Sequence, residues 1–261
     1  MDQLIIIKNM LKKGYSVFVR EKIKKFRKTI SVDSDKSLSI RYLLIGAISE
    51  GISEIRNILE SDDVFSSMRC LKKLGVKIKK KGKKKYLIYV KGLGSLHIKK
   101  SSSLDFGNSG TLARLLIGIL SSTPNIEVNV KGDKSLNKRN MSKLIDLMSE
   151  FGAQFYPKNR DNFPLKIISS AIPIGINYNA GVSAQLKSAV MLAGLNSFGV
   201  TNIYEKYKSR NHTENILEKN SKTLKKNNNN IKIRGKGFIN SNKTIVPGDP
   251  STSAFVTTLT L

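Results

Sequence analysis

The chain has 261 residues, enough for one large domain or two smaller ones, and 39% of them are hydrophobic, enough for a core. A formal net charge of +27 raises nucleic acid as a partner class, while a single cysteine and two histidines exclude an internal disulfide and a Cys/His metal cluster. No apolar run is long enough to span a bilayer, and the N-terminal MDQLIIIKNMLKKG carries its lysines after a short apolar run, the reverse of a secretory signal, so the cytoplasm is the expected compartment.

The basic excess is mostly lysine: only ten of the 46 basic residues are Arg. The runs KIKKFRK and KIKKKGKKKY sit beside or between predicted strands and lack interleaved aromatics on which bases could stack. Such runs predict solvated lysine-rich faces rather than a nucleic-acid groove. Cys70 falls near the edge of an apolar helical stripe in DDVFSSMRCLKKLG, which predicts a half-buried structural thiol.

In chain order the predicted elements form one unit three times. The first copy runs DKSLSIRYLLIGAISEG (helix), ISEIRNIL (strand), a helix closing at LKKLG, then VKIKKK. The second runs GNSGTLARLLIGILSST, NIEVNVKG, a helix closing at MSEFG, then AQFYPK. The third runs GVSAQLKSAVMLAGLNSFG, VTNIYEKY, a poorer helix from HTENILEKN, then NIKIRGKG. KYLIYVKG and FPLKIISS read as further strands, and Gly46, Gly118 and Gly194 read as corresponding glycines. The first helix of each copy has a nearly unbroken apolar face: Ile40, Leu43, Leu44, Ala47 and Ile48; Leu112, Leu115, Leu116 and Ile119; Leu186, Ala189, Val190 and Ala193. Helices of this kind belong inside, covered by sheets, which makes the fold class α/β with three repeated units.

Each buried helix starts in small polar residues. In DFGNSGTLAR, Gly107 and Gly110 permit unusual backbone angles, and Asn108, Ser109 and Thr111 are capping types. An ordinary capped helix satisfies these residues. So does an anion site, and three helices sharing an end would focus their free N–H groups and dipoles on one place. Cations stand where they would complete it: Lys36 beside Ser37 and with Arg41 one turn in, Arg114 one turn into the second helix, and Lys187 beside Gln185 in the third.

The ordered segments DKSLSIR, GNSGTLAR, GDKSLNKRNM, GVSAQLKSAVMLAGL, SRNHTE and VPGDPSTSAF resemble the 5-enolpyruvylshikimate-3-phosphate synthase family from about Lys28 to the last residue. The resemblance implies an enolpyruvyl transferase-like fold of two α/β domains, each of three units with buried parallel helices covered by sheets. It implies transfer of the enolpyruvyl group of phosphoenolpyruvate to the 5-hydroxyl of shikimate 3-phosphate, toward chorismate and the aromatic amino acids, without organic cofactor or metal. Carried over by motif, Lys36 contacts both substrates. Ser37, Arg41, Ser183, Ala184, Gln185 and Arg210 hold shikimate 3-phosphate, and Gly110, Arg139 and Gln185 hold phosphoenolpyruvate. Arg114 either joins them or braces its loop. The full-length enzyme is expected to be a monomer, with no nucleic-acid or membrane partner.

The sequence departs from the family pattern at VDSDKS, where Asp33 and Ser34 replace an expected Pro and Gly, and at Ile40, where a His is usual. The resemblance divides the chain into residues 1–33, an N-terminal extension and first strand of an incomplete domain; 34–246, the three-unit domain; and 247–261, the start of the second domain. The acidic residue that acts on the 5-hydroxyl is expected in the half that would follow, so no catalytic residue is named and the 261-residue chain is expected to be inactive alone. Two rivals stand beside this reading. One is the related UDP-N-acetylglucosamine enolpyruvyl transferase, which carries a reactive Cys in a mobile loop; the other is a basic nucleic-acid binder without enzymatic activity.

Overall fold

The computed structural model describes residues 5–10, 14–19, 29–91, 96 and 102–258. The chain divides into two compact units, Ser34–Pro247 and Met1–Asp33 with Gly248–Leu261. In the smaller unit, strands β1 (Ile5–Met10) and β2 (Gly14–Val19) form an antiparallel pair. The segment KIKKFRK, residues 22–28, lies outside the described residues.

In the larger unit the repeat follows the chain. The first copy is α1 (Lys36–Ile48), β3 (Glu50–Arg56), α2 (Asp62–Lys73), β4 (Lys77–Gly82) and β5 (Lys85–Lys91). The second is β6 (Ser103–Asp105), α3 (Gly110–Ser122), β7 (Glu127–Lys131), a short 3-10 turn at Leu136–Lys138, α4 (Ser142–Glu150), β8 (Gln154–Tyr156) and β9 (Leu165–Ile168). The third is β10 (Asn177–Ala180), α5 (Ala184–Asn196), β11 (Val200–Glu205), α6 (His212–Asn220), β12 (Leu224–Asn227) and β13 (Asn230–Arg234). A last strand, β14 (Lys243–Ile245), ends this unit, and α7 (Pro250–Thr258) belongs to the smaller one.

Three four-stranded sheets share one pattern: β14-β3-β5-β4, β6-β7-β9-β8 and β10-β11-β13-β12. In each, the first pair is parallel and the next two are antiparallel. In the second and third sheets the parallel edge strand precedes its own buried helix. In the first, that place is taken by β14 from the far end of the unit, which ties the ends of the three-unit domain together through main-chain pairing.

The helices α1, α3 and α5 are buried almost all round, as their apolar sequences require. Hydrogen bonds at both ends show that α3 and α5 run parallel. At their starts Gln185 Nε2 donates to Thr111 Oγ1 at 3.0 Å, and at their ends Asn196 Nδ2 donates to the Ser122 carbonyl at 2.8 Å. The three glycines are not equivalent, contrary to the sequence alignment of the units. Gly46 and Gly194 are each the eleventh residue of their helix and face their own sheets, where an added Cβ would lie 3.3 Å from Ser53 Cβ and 2.9 Å from Thr201 Cβ. Gly118 is the ninth residue of α3 and lets it approach α5, since a Cβ there would lie 2.5 Å from the Ala189 carbonyl oxygen.

The run KIKKKGKKKY forms the exposed β4 and the turn into β5. Its lysines lie over tyrosine rings of β5 and pair locally, with Lys80 Nζ 2.8 Å from Glu60. Cys70 is only 1% exposed, deeper than its place at the edge of the stripe predicts, because β6 covers that edge and the thiol donates to the Asp105 carbonyl at 3.3 Å. Among the described residues no helix is long and apolar enough to cross a membrane.

Candidate anion-binding site

The three buried helices begin with the same cap. Asp35 Oδ1 accepts from Leu38 N at 2.7 Å, Ser109 Oγ from Leu112 N at 3.3 Å, and Ser183 Oγ from Leu186 N at 3.3 Å. Each cap occupies one amide of its helix start and leaves those of the first two helical residues without an intrahelical acceptor. Those residues are Lys36 and Ser37, Gly110 and Thr111, and Ala184 and Gln185.

A polar cavity of about 380 Å³ opens at this end, lined by Lys36, Asp63, Asn108, Gly110, Thr111, Arg114, Arg139 and Gln185. All three helix starts therefore contribute to one space. Within it Arg114 Nη1 donates to Gln185 Oε1 at 3.1 Å and to the Gly110 carbonyl at 3.2 Å, while Arg139 Nη2 donates to Asn108 Oδ1 at 2.8 Å. Arg114 thus both faces the cavity and braces α3 against α5. Burial, and secondarily the neighbouring Arg139, hold the Arg114 guanidinium below its usual pKa.

The conformational freedom expected of Gly107 and Gly110 is used at only one of them. Gly107 has φ +57°, in the left-handed region. Gly110 serves by lacking a side chain: an added Cβ would lie 2.7 Å from Arg139 Nη1 and 2.8 Å from Arg114 Nη1. Two guanidinium groups can converge over the start of α3 only because nothing projects from it.

Of the residues expected from sequence, Lys36, Gly110, Arg139 and Gln185 line this cavity. Ser183 and Ala184 immediately precede Gln185 at the start of α5. Arg41 is 4% exposed and lies behind Ser37, donating to the Ser37 carbonyl at 3.1 Å, to Thr213 Oγ1 at 3.1 Å and to Ser188 Oγ at 3.5 Å. Burial pushes its guanidinium down to about 10, against the opposing pull of Asp35 and Glu214. Arg210 is exposed, and close enough to lower Arg41 and His212 electrostatically.

Lys187 does not face the site, contrary to its expected place among the cations of the helix starts. It is fully buried between Glu205 and Glu214, because its side chain projects from the face of α5 that meets the end of β11 and the start of α6. Sequence reasoning missed Asp63, whose Oδ2 lies 3.0 Å from Lys36 Nζ. Paired acids at the start of α2 are ordinary helix-dipole partners, so nothing local marks Asp63 as belonging to the cavity. Among the described residues no group of three or more His, Cys, Asp or Glu is placed to hold a metal ion. The buried Cys70 thiol is pushed up to about 12, chiefly by desolvation, unlike the reactive loop cysteine that the sugar-nucleotide rival carries.

A family model described as EPSP synthase (3-phosphoshikimate 1-carboxyvinyltransferase) matches residues 20–260. A 3-phosphoshikimate 1-carboxyvinyltransferase of Alkaliphilus oremlandii is 40% identical over 245 residues, covering 93% of this chain and 56% of the relative. That of Bacillus cytotoxicus is 40% identical over 229 residues, 87% of this chain and 53% of the relative. The solved EPSP synthase of Acinetobacter baumannii superposes with a TM-score of 0.80 at 33% identity, covering 87% of this chain and 51% of that one. The chain spans about half the length of these curated relatives. With three repeated units, buried parallel helices and this motif order, the chain belongs to the EPSP synthase family.

Proposed function

We propose that this chain provides the substrate-holding lobe for transfer of the enolpyruvyl group from phosphoenolpyruvate to the 5-hydroxyl of shikimate 3-phosphate, with release of inorganic phosphate. In that reaction the methylene carbon of phosphoenolpyruvate is protonated and the hydroxyl adds at C2. Phosphate then leaves from the tetrahedral intermediate as one proton is lost from the methyl group so formed, which restores the double bond. Two phosphorylated carboxylates must lie side by side, so the site has to offset their repulsion with fixed cations and aligned N–H donors. The observation that carries the reading is the single cavity where three helix starts meet Lys36, Arg114 and Arg139.

In this reading Lys36 touches both substrates. Gly110, through its N–H, and Arg139 hold phosphoenolpyruvate with Gln185, while Ser37, Arg41, Ser183, Ala184, Gln185 and Arg210 hold shikimate 3-phosphate. Arg114 neutralises the shared anionic region and fixes Gln185. The reaction runs without organic cofactor or metal, in the cytoplasm, and the full-length enzyme is a monomer. Asp63, the one carboxylate lining the described cavity, is engaged by Lys36 and is not assigned to proton transfer. The chain on its own therefore binds both substrates without releasing phosphate. Calorimetric titration with shikimate 3-phosphate and phosphoenolpyruvate tests this. Saturable binding lost in Arg139→Ala and Arg41→Ala supports it, and binding indifferent to both substitutions overturns it.

A further inference from the structure

Behind the cavity lies a charged cluster that the proposed ligand set does not use. Lys187, in the first turn of α5, is 0% exposed, and its ammonium lies 2.6 Å from Glu205 Oε1 and 2.5 Å from Glu214 Oε1. Glu205 closes β11 and Glu214 opens α6, so one ammonium joins three elements of the third unit. Charges removed from water this completely persist only when paired, and Glu214, whose Oε2 makes no hydrogen bond among the described residues, depends on Lys187.

Two arms lead from the cluster toward the site. Glu205 Oε1 also accepts from Ser209 N and Ser209 Oγ, both at 3.2 Å, which anchors the loop just before Arg210. On the other side Thr213, next to Glu214, accepts from Arg41 Nε at 3.1 Å and donates to Ser188 Oγ at 2.8 Å. Ser188 Oγ in turn donates to the Ala184 carbonyl at 2.7 Å, at the start of α5. One lysine against two glutamates leaves an excess negative charge, which acts electrostatically on Arg41, bonded to Thr213 beside Glu214. By contrast, the cluster makes no hydrogen bond to Arg114, Arg139 or Asn108.

We propose that Lys187, Glu205 and Glu214 are positioning residues that set Arg41, Arg210 and Ala184, and so tune the shikimate 3-phosphate half of the site separately from the phosphoenolpyruvate half, whose Gln185 is held instead by Arg114 and Thr111. This rests on the ligand assignment proposed above. Glu214→Gln removes the charge that faces Arg41. Lys187→Met with Glu205→Met removes both ion pairs of Lys187, leaves Glu214 with only the electrostatic attraction of Arg41, and releases Ser209. Ser209→Ala alters only the loop anchor and leaves the buried charges in place.

The three variants are compared with the unaltered 261-residue chain by thermal melting, by calorimetric titration with each substrate, and by amide hydrogen exchange at Ser209. The expected result is at least tenfold weaker shikimate 3-phosphate binding in Glu214→Gln and in the double variant. Shikimate 3-phosphate binding weakens about threefold in Ser209→Ala while phosphoenolpyruvate affinity there stays within about 1.3-fold; phosphoenolpyruvate affinity changes less than threefold in the other variants, and Ser209 exchanges at least tenfold faster in the double variant. Equal losses for both substrates overturn the proposal, because a merely structural role weakens both halves together. So does shikimate 3-phosphate binding that is unchanged in the folded variants. If the buried variants do not fold, Ser209→Ala decides by the same split. If the unaltered chain binds neither substrate, the proposed function fails, and the positioning role is judged on exchange alone: unchanged exchange at Ser209 refutes it and faster exchange sustains it.

Discussion

Gly110→Ala separates the fold from the site. The added Cβ would stand 2.7 Å from Arg139 Nη1 and 2.8 Å from Arg114 Nη1, so each nitrogen must retreat by about 0.6–0.7 Å to reach an ordinary 3.4 Å contact. Both obstacles are tips of flexible side chains, which makes the retreat cheap for the fold. Alanine also favours the helix over glycine by up to about 1 kcal/mol. The tips, however, are the groups that would bond an anion, and their movement also strains the 3.1 Å bond from Arg114 to Gln185 and the 2.8 Å bond from Arg139 to Asn108. A charge-assisted bond contributes about 1.5–3 kcal/mol, and Arg139 is exposed, so the lower part of that range applies: about 1.5–2 kcal/mol, or roughly 10- to 30-fold in Kd. Paired calorimetry and urea unfolding check it. The substitution should weaken phosphoenolpyruvate binding by that factor with stability unchanged or raised. Unchanged affinity, or a stability loss above about 1 kcal/mol, refutes the reasoning.

Gly118→Ala should do the opposite. Its obstacle is the Ala189 main chain at 2.5 Å, so α3 and α5 must part, and overpacking of about 1–3 kcal/mol outweighs the roughly 1 kcal/mol helix gain; a raised urea midpoint contradicts this. Asp63→Asn removes the one acid from the described cavity lining, and inorganic phosphate should bind about 2- to 5-fold tighter at low salt, with the difference fading near 0.5 M salt. Cys70, raised from 9.0 to about 12, should resist thiol reagents in the folded chain at pH 8 and react only on unfolding. Because the folded thiol binds its proton more tightly than the unfolded one, its contribution is complete below pH 9. It declines by up to about 1.4 kcal/mol per pH unit as the pH rises toward 12, and pH-dependent denaturation checks the sign.

Much of this arrangement was legible because it repeats. The 3.6-residue apolar spacing of α1, α3 and α5 marks buried helices, and caps three residues ahead of Leu38, Leu112 and Leu186 mark a shared end. The parallel partner of β3 was not legible, since β14 lies nearly two hundred residues away and a three-residue strand has no periodicity of its own. Spacing along the sequence also misaligned Gly118 with Gly46 and Gly194, because the second unit uses its glycine for helix–helix contact rather than helix–sheet contact. Lys187 read as a site cation because its two glutamate partners come from β11 and α6, and no local pattern announces a pairing formed only by packing. Asp63 escaped for the same reason.

The central claim is that three helix starts serve one anion. Titration of the isotopically labelled chain with phosphoenolpyruvate, followed through the backbone amide signals of Lys36, Thr111 and Gln185, tests it most directly. These residues begin α1, α3 and α5 and line the same cavity, so their signals should shift together along curves that fit one Kd. Movement at only one helix start, or shifts that require separate dissociation constants, would contradict it.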